Sequence, residues 1–165
     1  MPRIHMMNIM IDNLSMDEAL DKIALTVEQK RKILVVTPNV DHIVKLEKNR
    51  KFLDAYTRAE LVLVDGTPLM WISKWYNVPL KEKITGPRLT EKVMELSAKR
   101  KFKVFILGAA KGVAEVAAEK MMLKYNGLEI VGCYSPKKGF ENDMNEITHI
   151  LSIINDAEPD ILIAG

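Results

Sequence analysis

One cysteine, Cys133, and three histidines, His5, His42 and His149, are all the thiol and imidazole ligands this 165-residue chain offers. A single cysteine excludes an internal disulfide and any zinc site built on several thiolates, and it fits a reducing cytoplasm. The histidines lie far apart and no two share helical ligand spacing, so no metal ligand set is assigned. G-x-S-x-G is missing, and Cys133 lies inside the apolar run LEIVGCY, which removes the usual nucleophile schemes. Dinucleotide and P-loop glycine fingerprints are missing too. The nearest thing to Asp-x-Asp, DAE at 156–158, precedes Pro159 and reads as a solvated helix end. No apolar run approaches the ~18 residues of a membrane span, and the N-terminus has no signal-peptide pattern. The formal charge of +2 is too slight for a nucleic-acid binder. The basic clusters EKNRK (47–51) and AKRKFK (98–103) read as solvated helix ends, with anionic lipid or phosphate contact the other reading.

What is present is ordinary globular material, 48% apolar and 28% charged, of a length that fits one domain over residues 1–165. The runs IHMMNIMI, KILVVT, LVLVD, KVFILG, LEIVGCY and DILIAG alternate with segments of helical apolar spacing. Ser15 followed by Glu18 is a capping-box pattern opening a first helix, whose stripe is Leu14, Ala19, Leu20, Ile23, Ala24 and Val27. Val40 to about Ala59 is predicted helical with a break at Asn49. A short helix is predicted around Leu69–Tyr76, another from about Leu89 to Lys99, and a third in GVAEVAAEKMMLKY. Trp71, Trp75 and Tyr76 are read as core or groove aromatics on one helix. Strands that hand over to helices predict an α/β, Rossmann-like, mainly parallel sheet with helices on both faces. The run DILIAG delivers its chain into no helix, so a segment beyond it is expected.

Three strand ends carry polar or small residues: TPN (37–39), DGTP (65–68) and GAAKG (108–112). Thr37 and Asn39 supply a hydroxyl and an amide for sugar or phosphate recognition, or else cap the next helix. Asp65, at the edge where parallel sheets handle ligands, suits a general base; the alternative is an Asx-type turn over Gly66 and Thr67. The backbone of Gly108, Ala109 and Gly112, ahead of a helix, suits a phosphate cradle, or is a tight turn of small residues.

The order TPNVDHIV, LVLVDGTP, ITGPRL, VFILGAAKGVAE, GCYSPKKGFE and PDILIAG resembles the WecG/TagA/CpsF family of bacterial glycosyltransferases over nearly the whole chain. That resemblance implies inverting transfer of N-acetylmannosamine from a UDP-sugar donor to N-acetylglucosamine linked to undecaprenyl diphosphate, a polyprenyl-diphosphate acceptor of teichoic acid synthesis. It implies Asp65 as the base, with Thr37, Asn39 and Gly66 in the same pocket, and no obligatory metal or cofactor. It also implies a cytoplasmic enzyme peripheral on the inner face of the membrane, seated there by a C-terminal segment not included in this sequence. Lys83 or Arg88, with the Gly108–Gly112 backbone, would bear the leaving charge. Where the family often has an acid after ITGP this chain has Arg88, so that loop is given no catalytic role. Two rival readings stand beside this one. One is a non-catalytic nucleotide- or phospho-ligand-binding module, the other a structural subunit forming a homo-oligomer through its apolar faces.

Overall fold

A computed structural model describes residues 3–165, which fall into two compact units, one up to Leu89 and the other Thr90–Gly165. The first unit opens on a hairpin, β1 (Arg3–Met6) and β2 (Ile9–Asp12), paired antiparallel with Met6 opposite Ile9. The run IHMMNIMI is therefore two strands, turned at Met7–Asn8, where Met7 takes a φ of 56°.

Helix α1 (Met16–Glu28) follows, and its capping box is formed in full. The Glu18 N–H donates to Ser15 Oγ at 3.3 Å and the Ser15 N–H donates to Glu18 Oε2 at 2.7 Å. These bonds satisfy donors that a helix start leaves without partners. Strand β3 (Val35–Val36) leads into α2 (Val40–Lys48) and α3 (Arg50–Thr57). The predicted break is at Asn49, which ends α2 and caps α3 by accepting the Phe52 N–H at 3.1 Å. Strand β4 (Leu61–Val62) pairs parallel with β3. Beyond that short ladder the Leu63 N–H donates to Val36 O and the Asp65 N–H to Pro38 O, each at 2.9 Å. The two chains thus stay side by side out to their tips.

Asp12 binds the opposite edge of β4. Its Oδ2 accepts the Val62 N–H at 2.9 Å, and the carboxylate pairs with Arg3 and Lys22 at 3.2 and 3.5 Å. With 9% of its side chain exposed, this is a nearly enclosed, fully partnered charge. Met6, Ile9 and Ile11 of the hairpin, Ile43 and Leu46 of α2, and Val62, Val64 and Leu69 around β4 form the apolar core of the unit. Helix α4 (Thr67–Trp75) buries Leu69 and Ser73, while Trp71, Trp75 and Tyr76 are exposed, which corrects the core reading of these aromatics. Helix α5 (Gly86–Arg100) starts three residues earlier than the sequence pattern indicates.

The second unit is built on a three-stranded parallel sheet of order β6-β5-β7: β5 (Lys103–Leu107), β6 (Glu129–Tyr134) and β7 (Ile161–Ala164). Helix α6 (Val113–Lys124) joins β5 to β6, and α7 (Met144–Ala157) joins β6 to β7. Met94, Ala98, Val104 and Leu128 are its buried centre, with Ile106, Ile130, Ile161 and Ile163 packed against them. Parallel pairing with helical connections in both units is a mixed α/β, Rossmann-like architecture, to which the antiparallel hairpin is the one addition.

Candidate functional site

In the first unit the parallel pairing of β3 and β4 sets the TPN and DGTP tips beside each other. Asp65 is half-buried, and its Oδ2 accepts the Gly86 N–H at the start of α5, at 3.2 Å. Its Oδ1 takes no hydrogen bond, and no cation lies in ion-pair range of the carboxylate, among the described residues. A Cβ at Gly86 would stand 3.3 Å from Thr37 Oγ1, so Thr37, Asp65 and Gly86 meet at one place. The Thr37 hydroxyl, half-buried, has no hydrogen-bond partner among the described residues. One carboxylate oxygen and one hydroxyl are therefore free to bind a ligand or move a proton, while the helix start fixes the other carboxylate oxygen.

Asn39 is the cap of α2, its Oδ1 accepting the His42 N–H at 3.0 Å, which leaves only the amide nitrogen for any other contact. Gly66 has φ 128° and ψ 139°, a backbone state that residues with a Cβ rarely adopt. It lets the chain turn from the Asp65 tip straight into α4. Lys83 Nζ donates to Thr67 Oγ1 at 3.4 Å, at the first residue of that helix. Arg88 is ion-paired with Glu82 at 2.8 Å, so of the two cations Lys83 is the one not neutralised by a carboxylate. Hollows lie on this unit. One, of about 600 Å³, is lined by His42, Lys45, Lys48 and Phe52; another, of about 320 Å³, by Pro68, Trp71, Ile72 and Trp75. Neither is lined by Asp65.

The GAAKG turn is in the second unit and is built differently. The Gly108 N–H donates to Tyr134 O at 2.9 Å and the Ala109 N–H to Gly165 O at 3.1 Å, so these two donors continue the sheet. Gly108 has φ 121°, and a Cβ there would collide with the Gly165 carbonyl. Gly112 caps α6 with no side-chain bond, and the Val113 N–H donates to Ala110 O at 2.9 Å, which leaves the Ala114 and Glu115 N–H groups as the donors open to an anion. Burial, and then Glu115, push the Cys133 thiol up, against its use as a thiolate nucleophile. Among the described residues no group of His, Cys, Asp and Glu gathers as a metal site, and no helix is long and apolar enough to cross a membrane.

Sequence reasoning missed Gly86 as the partner of Asp65, because the bond spans 21 positions; ITGP carried only a loop signal.

The sequence pattern described as "Glycosyl transferase WecG/TagA/CpsF family" matches residues 4–165. Among curated relatives, a Bacillus spizizenii protein named N-acetylglucosaminyldiphosphoundecaprenol N-acetyl-beta-D-mannosaminyltransferase is 28% identical over 120 residues, 73% of this chain and 46% of that protein. Proteins of the same name from Bacillus subtilis and Staphylococcus aureus are 26% and 22% identical. They cover 82% and 74% of this chain, and 51% and 49% of their own lengths. The chain thus spans about half the length of the curated relatives it matches.

Proposed function

The chain belongs to the WecG/TagA/CpsF family of glycosyl transferases, and from that membership we propose that it carries an inverting transfer of N-acetylmannosamine. The sugar moved and the acceptor, N-acetylglucosamine on undecaprenyl diphosphate, are those in the relatives' shared name, and the donor we propose is UDP-N-acetylmannosamine. Such an acceptor lies at a membrane, so the protein works peripherally on the cytoplasmic face.

The observation that carries the chemistry is the free Oδ1 of Asp65 beside the free hydroxyl of Thr37, on adjacent parallel tips. Asp65 takes the proton of the acceptor hydroxyl as its oxygen attacks the anomeric carbon, and the bond to the diphosphate breaks on the opposite face. UDP leaves, and the new linkage has inverted configuration. Thr37, the Asn39 amide nitrogen and the Gly66 backbone contact the sugar. Lys83 meets the phosphate charge on this unit, and on the second unit the turn ending at Gly112, ahead of α6, offers N–H donors to an anion. One base and these donors supply each step, so the scheme contains no metal or cofactor.

The experiment is incubation of purified protein with UDP-N-acetylmannosamine and a lipid-diphosphate N-acetylglucosamine analogue. UDP release that requires both is expected; folded protein that releases none contradicts the proposal. A second reading, a binding module without turnover, is favoured by the two caps, Asp65 on Gly86 and Asn39 on His42. Calorimetry separates the readings: selective uridine-nucleotide binding supports the transferase, and selective binding of NAD or S-adenosylmethionine defeats it.

A further inference from the structure

Among the phenylalanines, tryptophans and tyrosines of the described residues, only Trp71, Trp75 and Tyr76 are exposed. Their fractional exposures are 66%, 89% and 59%. All three are on or just after α4, whose other face is anchored by buried Leu69 and Ser73. The Ser73 hydroxyl donates to Met70 O at 2.8 Å and accepts the Leu80 N–H at 3.2 Å, which fixes the helix to the chain that follows. Pro68, Trp71, Ile72 and Trp75, at helical spacing, surround the apolar hollow of about 320 Å³.

Along the segment that carries this face, residues 66–81, the charge is of one sign. Residues 66–81 contain no aspartate or glutamate in a chain that has 22, while Lys74 lies on the exposed helix surface and Lys83 reaches its first residue. Tryptophan and tyrosine combine an apolar ring with a polar N–H or O–H, and both concentrate at the headgroup level of bilayers. A lysine amid such aromatics is disfavoured at the centre of a protein interface and favoured against anionic headgroups.

We propose that the Pro68–Tyr76 face of α4 is a membrane-docking surface, with the aromatic rings in the headgroup zone of an anionic bilayer and Lys74 on its charge. This rests on the lipid-linked acceptor proposed above and adds to it the surface of this chain that meets the lipid. Helix α4 begins two residues after Asp65 and has nine residues, about 13 Å at 1.5 Å per residue. A helix lying flat on the bilayer keeps the Asp65 tip within that distance of the headgroups, where the diphosphate of a polyprenyl acceptor lies.

The chain contains only two tryptophans, both on this face, so their fluorescence reads the proposal directly. Vesicles of mixed phosphatidylglycerol and phosphatidylcholine are expected to shift the emission to the blue, and brominated acyl chains to quench it. Trp75→Ala is expected to weaken partition into these vesicles on the order of tenfold. Lys74→Gln is expected to weaken it about fivefold, the equivalent of roughly 1 kcal/mol per surface lysine. Trp75 is so exposed that its replacement should leave the circular dichroism unchanged. Emission unaltered at every lipid concentration overturns the proposal. So does vesicle binding undiminished in the Trp71→Ala/Trp75→Ala double variant, or a tryptophan signal that changes with protein concentration alone, which would assign the face to a second copy. Sugar transfer to a water-soluble short-chain acceptor tests the reaction separately, and the double variant is expected to retain it. Failure of the unsubstituted protein to dock on vesicles, with transfer intact, refutes the surface, whereas docking without transfer refutes the reaction and leaves the surface standing.

Discussion

The tip of the first unit and the tip of the second both end parallel strands, and they spend their polar groups in opposite ways. At GAAKG the backbone is occupied: Gly108 and Ala109 give their N–H groups to Tyr134 and Gly165, and glycine is needed because the Gly165 carbonyl comes so close. At TPN and DGTP the backbone is paired too, but the Asp65 Oδ1 and the Thr37 hydroxyl are left over. A parallel sheet edge thus offers two kinds of tip, one that is mainly structure and one that exposes side-chain chemistry. Only the second has a group that can take up a proton.

That contrast is open to test by substitution. The largest effect on folding is expected at Gly108: Gly108→Ala places a methyl group against Gly165 and should destabilise the protein by about 3 kcal/mol in urea denaturation. A smaller loss would mean that the β5 and β7 ends separate easily. Thr37→Val should do the reverse, lowering turnover about tenfold, or ~1.4 kcal/mol, with little change in the denaturation midpoint, since the hydroxyl has no internal partner. A large stability loss there would erase the distinction between the tips.

Ser15→Ala, remote from the tip chemistry, removes one arm of the α1 capping box. It should cost about 1 kcal/mol of stability without affecting turnover once folded. The smallest effect concerns α5. Hydrogen bonds from Lys92, then Lys99, hold the half-buried Glu95 carboxyl down at about 2. The lowered folded value means that this contribution is present above the ordinary value near 4.5 and is lost as pH falls from there through about 2. An NMR titration of Glu95 checks it, and a midpoint near 4.5 would show that the lysines do not hold it.

The parts of this architecture legible in sequence are those determined locally. Ser15 and Glu18 are three apart, and Asn49 interrupts a helical stripe with a side chain suited to capping, so α1, α2 and α3 could be read directly. The pairing of Thr37 with Asp65 was legible at one remove, because consecutive parallel strands end on the same edge. The early hairpin was not, since Met7 and Asn8 interrupt an apolar run with neither glycine nor proline and Met7 adopts its positive φ under the demands of the pairing. The start of α5 at Gly86 depends on a carboxylate from far upstream, which no local pattern records. Apolar spacing placed Trp71 and Trp75 on a helix but could not say that Leu69 and Ser73 would take its buried side. Asp12 gave no signal either, for its partners Arg3, Lys22 and Val62 come from three different elements.

The central claim is that the carboxylate at the end of β4 removes the acceptor proton. Single-turnover sugar transfer by Asp65→Asn, measured alongside donor affinity by calorimetry, tests it most directly. A loss of about 10²–10⁴ in the transfer rate with UDP-sugar binding nearly unchanged is the predicted result. Transfer at the unaltered rate by folded Asp65→Asn protein would contradict it.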